Sequence, residues 1–358
     1  MNPSLAPRPA RGPVSRAAAG TLALALTASA AALAPARGAA ADLLHPSGKG
    51  VAEGGAIWAG PRPSGPPRRV VVLAPSLTDV VLALGLRDRL VGVTRLDDAP
   101  EVADLPRVGG FLDPNPEAIL GLSPDLVLWV TDGGALPAVR RLAELSRASR
   151  RPFPILALPI VNVADVLATP RVVGDALGDP AGGERLSRAL AAGVESIRMR
   201  GEGLRRRRVL FVVGREPLVV GGPGSFADEL LRIAGAENVV AGARPWPIYP
   251  LEKAVADDPE LVVDAAAREP AGGIHRLAAI PAVRRGAVVR LSSDDLLRAG
   301  PRMVPGLEEL FRGIHPEASS TDFRAEPGAD APRPSGAPGA APPPAREPAP
   351  ARPGGSRP

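Results

Sequence analysis

Between residues 68 and 316, short runs of branched apolar residues alternate with stretches of helical periodicity, and the pattern restarts after one long amphipathic segment. Strands that alternate with helices build parallel sheets wrapped by helices, so this pattern restricts the fold more than any other feature of the chain. Val70 to Leu73, Leu90 to Val93, Asp125 to Val130 and Ile155 to Leu158 read as strands of a first unit. Pro75 ends the first of them, and Ser76 with Asp79 three residues on has the form of a capping box for a helix ending at Gly85. Asn115 caps a further helix with Pro116 in its first position, and Ala135 to Arg147 reads as another. In the second unit Val209 to Val213, Glu260 to Asp264 and Ala287 to Leu291 read as strands. Helices follow the turn Gly221 to Ser225, surround Ile274 to Ala279 and span Met303 to Arg312. Between the units, Leu186, Leu190, Val194 and Ile197 recur at spacings of three and four within Gly182 to Leu204. That is one face of a single helix of about six turns. The expected fold is therefore α/β: two parallel-sheet lobes joined by one long spine helix.

The two ends do not share this pattern. Residues 1–41 hold Arg8, Arg11 and Arg16, then an apolar stretch from Ala17 to Leu33, then Ala39-Ala40-Ala41. A positive start, an apolar middle and a small-residue cleavage site read as a cleaved signal peptide, with a membrane anchor as the competing reading. Residues 42–67 are rich in Gly and Pro and read as a flexible lead-in. Residues 317–358 form a Pro/Ala/Gly/Arg tail that cannot bury enough apolar surface to order itself. The division that follows is an N-terminal lobe over 68–180, the spine helix over 181–204 and a C-terminal lobe over 205–316.

Export reinterprets the charge. The whole chain carries 43 basic and 38 acidic residues, but the signal takes four arginines and no acid with it. The nearly neutral remainder does not read as a nucleic-acid binder. The chain lacks cysteine, which excludes disulfides, thiolate metal sites and a lipid-modified N-terminal Cys. An exported chain of this kind, free rather than tethered, suits a bacterial periplasm.

Catalytic apparatus is sparse. The histidines are His45 in the lead-in, His275, and His315 at the edge of the tail, so a histidine triad or a three-histidine zinc site is not expected. The Gly221 to Ser225 turn lacks a phosphate-binding lysine, and Ser225 reads as a helix cap. Asp97-Asp98 and Asp257-Asp258 read as solvated loop acids. The scarce aromatic residues are more telling. Trp129 falls at the C-terminal end of a strand, Trp246 in a stiff Pro245-Trp246-Pro247 loop with Tyr249 behind it, and Phe111 in a loop before a helix. Each alone could fill a core, whereas rings from both lobes could line a cleft for a large planar ligand.

The order of several strings matches a known family. They are Leu73-Ala74-Pro75-Ser76-Leu77-Thr78-Asp79, Arg107-Val108-Gly109-Gly110-Phe111, Asn115-Pro116-Glu117-Ala118-Ile119 and Ser123-Pro124-Asp125-Leu126-Val127-Leu128 in the first half. In the second they are Gly224-Ser225-Phe226, Gly235-Ala236-Glu237-Asn238-Val239, Pro245-Trp246-Pro247, and Ser293-Asp294 with Arg298 and Pro301-Arg302. Over nearly all of 68–316 the chain resembles the helical-backbone class of ABC-importer solute-binding proteins, the vitamin B12 and ferric-siderophore group, with the B12 branch closest.

The resemblance implies a monomeric, non-catalytic periplasmic carrier with no cofactor, delivering cobalamin or a related corrinoid to an ABC-importer permease dimer. A ferric-siderophore or haem carrier of the same family is the alternative. An exported α/β hydrolase using Asp294 and Ser76 is the reading from another class. By the resemblance, Phe111, Trp129 and Trp246 line the cleft, Ser76, Asp294 and Arg298 sit at its edge, and Tyr249 lies nearby. Glu117 and Glu252 match a pair of docking glutamates, one on each lobe. Two departures stand out. Relatives carry aromatic residues in the loop before Pro100, where this chain has Arg95-Leu96-Asp97-Asp98-Ala99, and Pro170 predicts a kink or boundary in a helix near the spine.

Overall fold

The computed structural model describes residues 56–60, 62–131, 136–242, 244–266 and 271–319. The signal segment, most of the lead-in and all but the first residues of the tail lie outside the described residues.

Val70, Val71 and Val72 are fully buried, as are Leu126 to Trp129, because helices cover both faces of these strands. In chain order the N-terminal strands are β1 (Ile57–Ala59), β2 (Val70–Val72), β3 (Leu90–Gly92), β4 (Leu126–Val130) and β5 (Ile155–Leu158). They lie in the order β1-β5-β4-β2-β3, parallel throughout except for β1, which runs antiparallel along β5. The lead-in is thus shorter than expected: Ala59 is buried on the edge of the sheet, and alternation over three residues is too brief to read as a strand.

The C-terminal sheet is built from β6 (Arg208–Arg215), β7 (Leu218–Val220), β8 (Glu237–Asn238), β9 (Leu261–Asp264) and β10 (Val288–Arg290). Its order is β10-β9-β6-β7, with β8 on the start of β6, and only β7 is antiparallel. Both sheets are therefore parallel-rich with one antiparallel edge strand rather than wholly parallel. Along β6, Val209 and Phe211 join one apolar core while Leu210 and Val212 join another, as strand alternation requires. The first core also includes Val194 and Ile197 of the connecting helix and the N-terminal sheet, so continuous apolar contact runs from one lobe to the other.

The spine helix predicted from periodicity is present as Pro180–Gly201. It crosses the preceding helix, Val163–Leu177, at a pair of glycines: a Cβ on Gly183 would lie 2.4 Å from the Pro170 carbonyl oxygen, and one on Gly174 would lie 2.8 Å from the Gly183 Cα. Only glycine allows that approach. Of the kink or boundary expected at Pro170, the boundary does not occur, since the helix runs through it from Asn162, its side-chain cap, to Gly178 in the left-handed region. Packing against the spine holds the turn that the missing Pro N–H would otherwise weaken.

Two other local expectations change. The first helix spans Pro75–Ala83 with Ala74 as N-cap and no side-chain cap, so Ser76 and Asp79 do not form a capping box. The helix begins at Pro75, so Ser76 is its second residue and the cap position falls to Ala74, which has no side-chain oxygen. Beyond the last long helix, Met303–Ile314, the chain forms a short helical turn Pro316–Ser319, and Glu317 pairs with Arg207 at 3.1 Å. His315 is accordingly buried, its Nε2 3.0 Å from the Ala234 carbonyl oxygen, rather than at the edge of a loose tail.

Candidate functional site

A cavity of about 250 Å³ opens where the lobes meet, walled by Ser76, Phe111 and Val130 from the N-terminal lobe and Asp294, Leu297 and Arg298 from the C-terminal lobe. Ser76 lies in the first turn of Pro75–Ala83, at the C-terminal end of β2, where open α/β sheets present their ligand sites. The lobes touch beside it. A Cβ on Gly300 would lie 2.8 Å from the Ser76 carbonyl oxygen, so only glycine lets the second lobe approach so closely.

Arg298 is the centre of the contact. Its Nη1 and Nη2 donate to the two carboxylate oxygens of Asp98 at 2.8 and 2.9 Å, a bidentate bond between residues 200 positions apart. It also donates to Asp294 at 3.1 Å and lies 3.7 Å from Asp79. Arg302 donates to Asp98 at 2.9 Å and pairs with Asp295 at 2.5 Å. Burial works against the Arg298 charge, but the Asp98 hydrogen bond and the Asp294 and Asp79 charges outweigh it and raise its pKa further. The Arg298 hydrogen bond in turn holds the Asp98 carboxyl down to about 2. Asp97 and Asp98 are therefore not solvated loop acids: Asp97 is buried, accepting from the Thr94 amide and hydroxyl, and Asp98 bridges the lobes.

Asp79 is the strained member. Burial pushes its carboxyl up to about 6 despite the opposing charge of Arg298, and its Oδ2 has no hydrogen-bond partner. A raised folded-state pKa makes a stability contribution that is complete below the unfolded value, near 4, and lost as pH rises through about 6. Asp98 acts in the opposite sense, its contribution being lost only as pH falls from about 4 towards 2. The windows do not overlap. Asp79→Asn is expected to remove a fall in stability between pH 4.5 and 7 on the order of 2 kcal/mol. Denaturant melts at both pH values check this; parallel pH profiles for the two proteins would refute it.

The remaining sequence-predicted residues divide. Phe111 and Ser76 line the cavity with Asp294 and Arg298. Trp129 does not: it is fully buried within β4, and its indole Nε1 donates to the Phe111 carbonyl oxygen at 3.2 Å. It supports the Phe111 loop from beneath. The next residue, Val130, faces the cavity, because successive strand side chains point to opposite faces. Tyr249 is also displaced from the expected role, being packed in the core of the second lobe with its hydroxyl donating to Asp257. Asp257 is thereby engaged by Tyr249 and Lys253 rather than solvated. Trp246 is half exposed, in a loop tied to the sheet where the Gly222 amide donates to the Pro245 carbonyl at 2.8 Å and the Val220 amide to that of Pro247 at 3.2 Å. It is not among the residues walling the cavity. Ser225 caps its helix by accepting from the Asp228 amide at 3.1 Å, so its oxygen has a structural task.

Glu117 and Glu252 occupy equivalent places, the first turns of the helices Pro116–Gly121 and Leu251–Ala256. Both are exposed, and among the described residues neither forms an ion pair. Asp79, Asp98 and Arg302 were missed as site residues. Nothing in the sequence signals that residues of the 98 and 298 loops meet, although the unusual acidic pair before Pro100 marked the place.

Two lobes on a helical spine, with a cleft at the C-terminal ends of their strands, define a class of binding protein. The chain belongs to the periplasmic binding protein family, whose model matches residues 70–294. It is 27% identical over 249 residues to a vitamin B12-binding protein of Vibrio vulnificus, covering 68% of this chain and 89% of that one. It is 28% identical over 265 residues to an ABC transporter substrate-binding lipoprotein of Bacillus subtilis, covering 70% of this chain and 81% of that protein. Among solved structures, a periplasmic haem-binding protein from Roseiflexus is 28% identical with a TM-score of 0.61, covering 71% of this chain and 100% of that one. The periplasmic vitamin B12-binding protein of Vibrio cholerae shares the fold at 23% identity with a TM-score of 0.58, covering 71% of this chain and 99% of that one.

Proposed function

We propose that this protein is an exported, non-catalytic solute-binding protein that carries cobalamin or a related corrinoid to the permease of an ABC importer. The observation that carries this reading is the cavity between the lobes, with Phe111 on one wall and a polar edge of Ser76, Asp294 and Arg298. A broad apolar face and a few polar contacts suit a large amide-fringed macrocycle. The relatives named for vitamin B12 point the same way. A corrinoid is larger than the cavity, so only one edge of it would enter between the lobes, beside the Asp98–Arg298 contact.

Haem is disfavoured by the supply of iron ligands. The chain has one tyrosine and three histidines. Among the described residues, Tyr249 is packed in a core against Asp257, His315 is buried beneath Ala234, and exposed His275 is not at the cavity wall, while His45 lies outside them. A hydrolase using Ser76 and Asp294 fares no better, since Arg298 holds Asp294 and no general base accompanies Ser76 at the cavity wall.

The exposed carboxylates of Glu117 and Glu252, one on each lobe, are suited to steer the loaded carrier onto a permease and to fix its register. Isothermal titration with cyanocobalamin tests the main reading. One-to-one binding is expected, weakened at least about tenfold by Phe111→Ala, the effect of losing one central aromatic anchor. Absence of cobalamin binding together with tight binding of a ferric siderophore would move the protein to the iron branch.

A further inference from the structure

The cavity wall carries one acid, Asp294, and one base, Arg298, and the base is already engaged by a cluster of acids around it. Arg298 is the cationic residue among those walling the cavity. Both of its terminal nitrogens are committed to Asp98, one also reaching Asp294, with Asp79 behind. Arg302, the next cation along, is held by Asp98 and Asp295. Four carboxylates thus meet two guanidinium groups. The balance stays acidic if one carboxylate is protonated. Around this set, Arg95 pairs with Asp113 at 3.0 Å, and Arg107 donates to the Thr94 carbonyl oxygen at 3.4 Å.

An anionic ligand needs a free cation, or must expel an acid from one. The bidentate Asp98–Arg298 pair already has the geometry a ligand carboxylate would seek. A neutral ligand fringed with amides needs no such exchange, because it brings no charge that calls for a cation. Asp98 is half exposed and lies outside the cavity wall, so it acts on a ligand through Arg298, which is on that wall.

We infer that Asp98 is a specificity-determining residue: it occupies the arginine pair at the lobe contact and so makes the cleft reject carboxylate-bearing macrocycles while accepting neutral, amide-bearing ones. This rests on the carrier reading above and names the charge class of its ligand. Rejection here is a built repulsion as well as a missing attraction, the usual way one cleft distinguishes ligands of similar shape.

The test is to titrate the purified full-length protein and Asp98→Asn with haem, which carries two carboxylates, with haem dimethyl ester, which carries none, and with cyanocobalamin. Asparagine keeps the shape and one acceptor but frees guanidinium donors, so haem affinity is expected to rise about tenfold, the effect of one charge-assisted hydrogen bond. Affinity for the ester and for cyanocobalamin is expected to change less than about threefold. Asp113→Asn, which removes an exposed acid outside the cavity wall, should leave all three unchanged. Asp98→Asn with no gain in haem affinity overturns the inference, as does wild-type protein that binds haem as tightly as its ester. If cyanocobalamin fails to bind but Asp98→Asn still gains haem, the corrinoid reading falls and the charge gate stands. If cyanocobalamin binds and Asp98→Asn gains nothing, only the gate falls.

Discussion

A protein carrying Glu117→Ala and Glu252→Ala together is expected to bind ligand with wild-type affinity and to support transport at no more than about one-tenth of the wild-type rate, the scale of losing two charged docking contacts. The physical basis is the placement of both groups. Each projects from the first turn of a short helix, one on each lobe, exposed and without an ion-pair partner among the described residues. A carboxylate there also favours its own helix dipole, but that effect is worth only about 0.3–1 kcal/mol and concerns stability, not delivery. Each single variant should lose less than the pair, because one contact still guides the approach. Vesicles reconstituted with the importer, ligand inside or outside measured directly, provide the assay. Normal uptake with the double variant would assign both glutamates to the helices alone.

The largest stability effect is expected at Arg298. Its removal leaves Asp79 buried without its nearest cation, and takes from Asp98 the bidentate bond that joins the lobes. Breaking a buried pair from one side is far costlier than its net worth, because the remaining charge is stranded. Arg298→Ala should destabilise the protein by about 3 kcal/mol at neutral pH. For a body of this size the melting temperature would fall by roughly 6–12 °C. The loss should be smaller at pH 5, where a carboxyl titrating near 6 is largely protonated and needs no cation. Arg298→Lys should recover only part of it, since an ammonium cannot span both Asp98 oxygens. A melt of Arg298→Ala that matches wild type at pH 7.5 would show that the contact between the lobes depends on apolar packing alone.

Much of the fold was legible because its signals are local. Val70 to Val72, Leu126 to Val130 and Ile155 to Leu158 announce buried strands by composition, and Leu190, Val194 and Ile197 announce the spine by spacing. The antiparallel edges β1 and β7 escaped, each being three residues long and set beside a Pro/Gly-rich segment or a tight hairpin. Pro170 misled for a related reason. A proline's local cost is visible in sequence, whereas the glycine crossing that holds its helix against the spine is not.

The candidate site divides along the same line. Residue type and order alone determined that this chain is α/β and that it has no thiol and few histidines to offer a metal. These follow from periodicity and chemistry within a few residues. Only the tertiary structure decided that Trp129 lies beneath the cleft while Val130 faces it, a matter of which side of the strand's last residues is turned to the second lobe. It alone decided that Tyr249 is core, and that Asp98 and Arg298, 200 positions apart, close on each other between the lobes. Contacts of that range depend on how two separately folded sheets are set by the spine helix, and no pattern within either sheet encodes it.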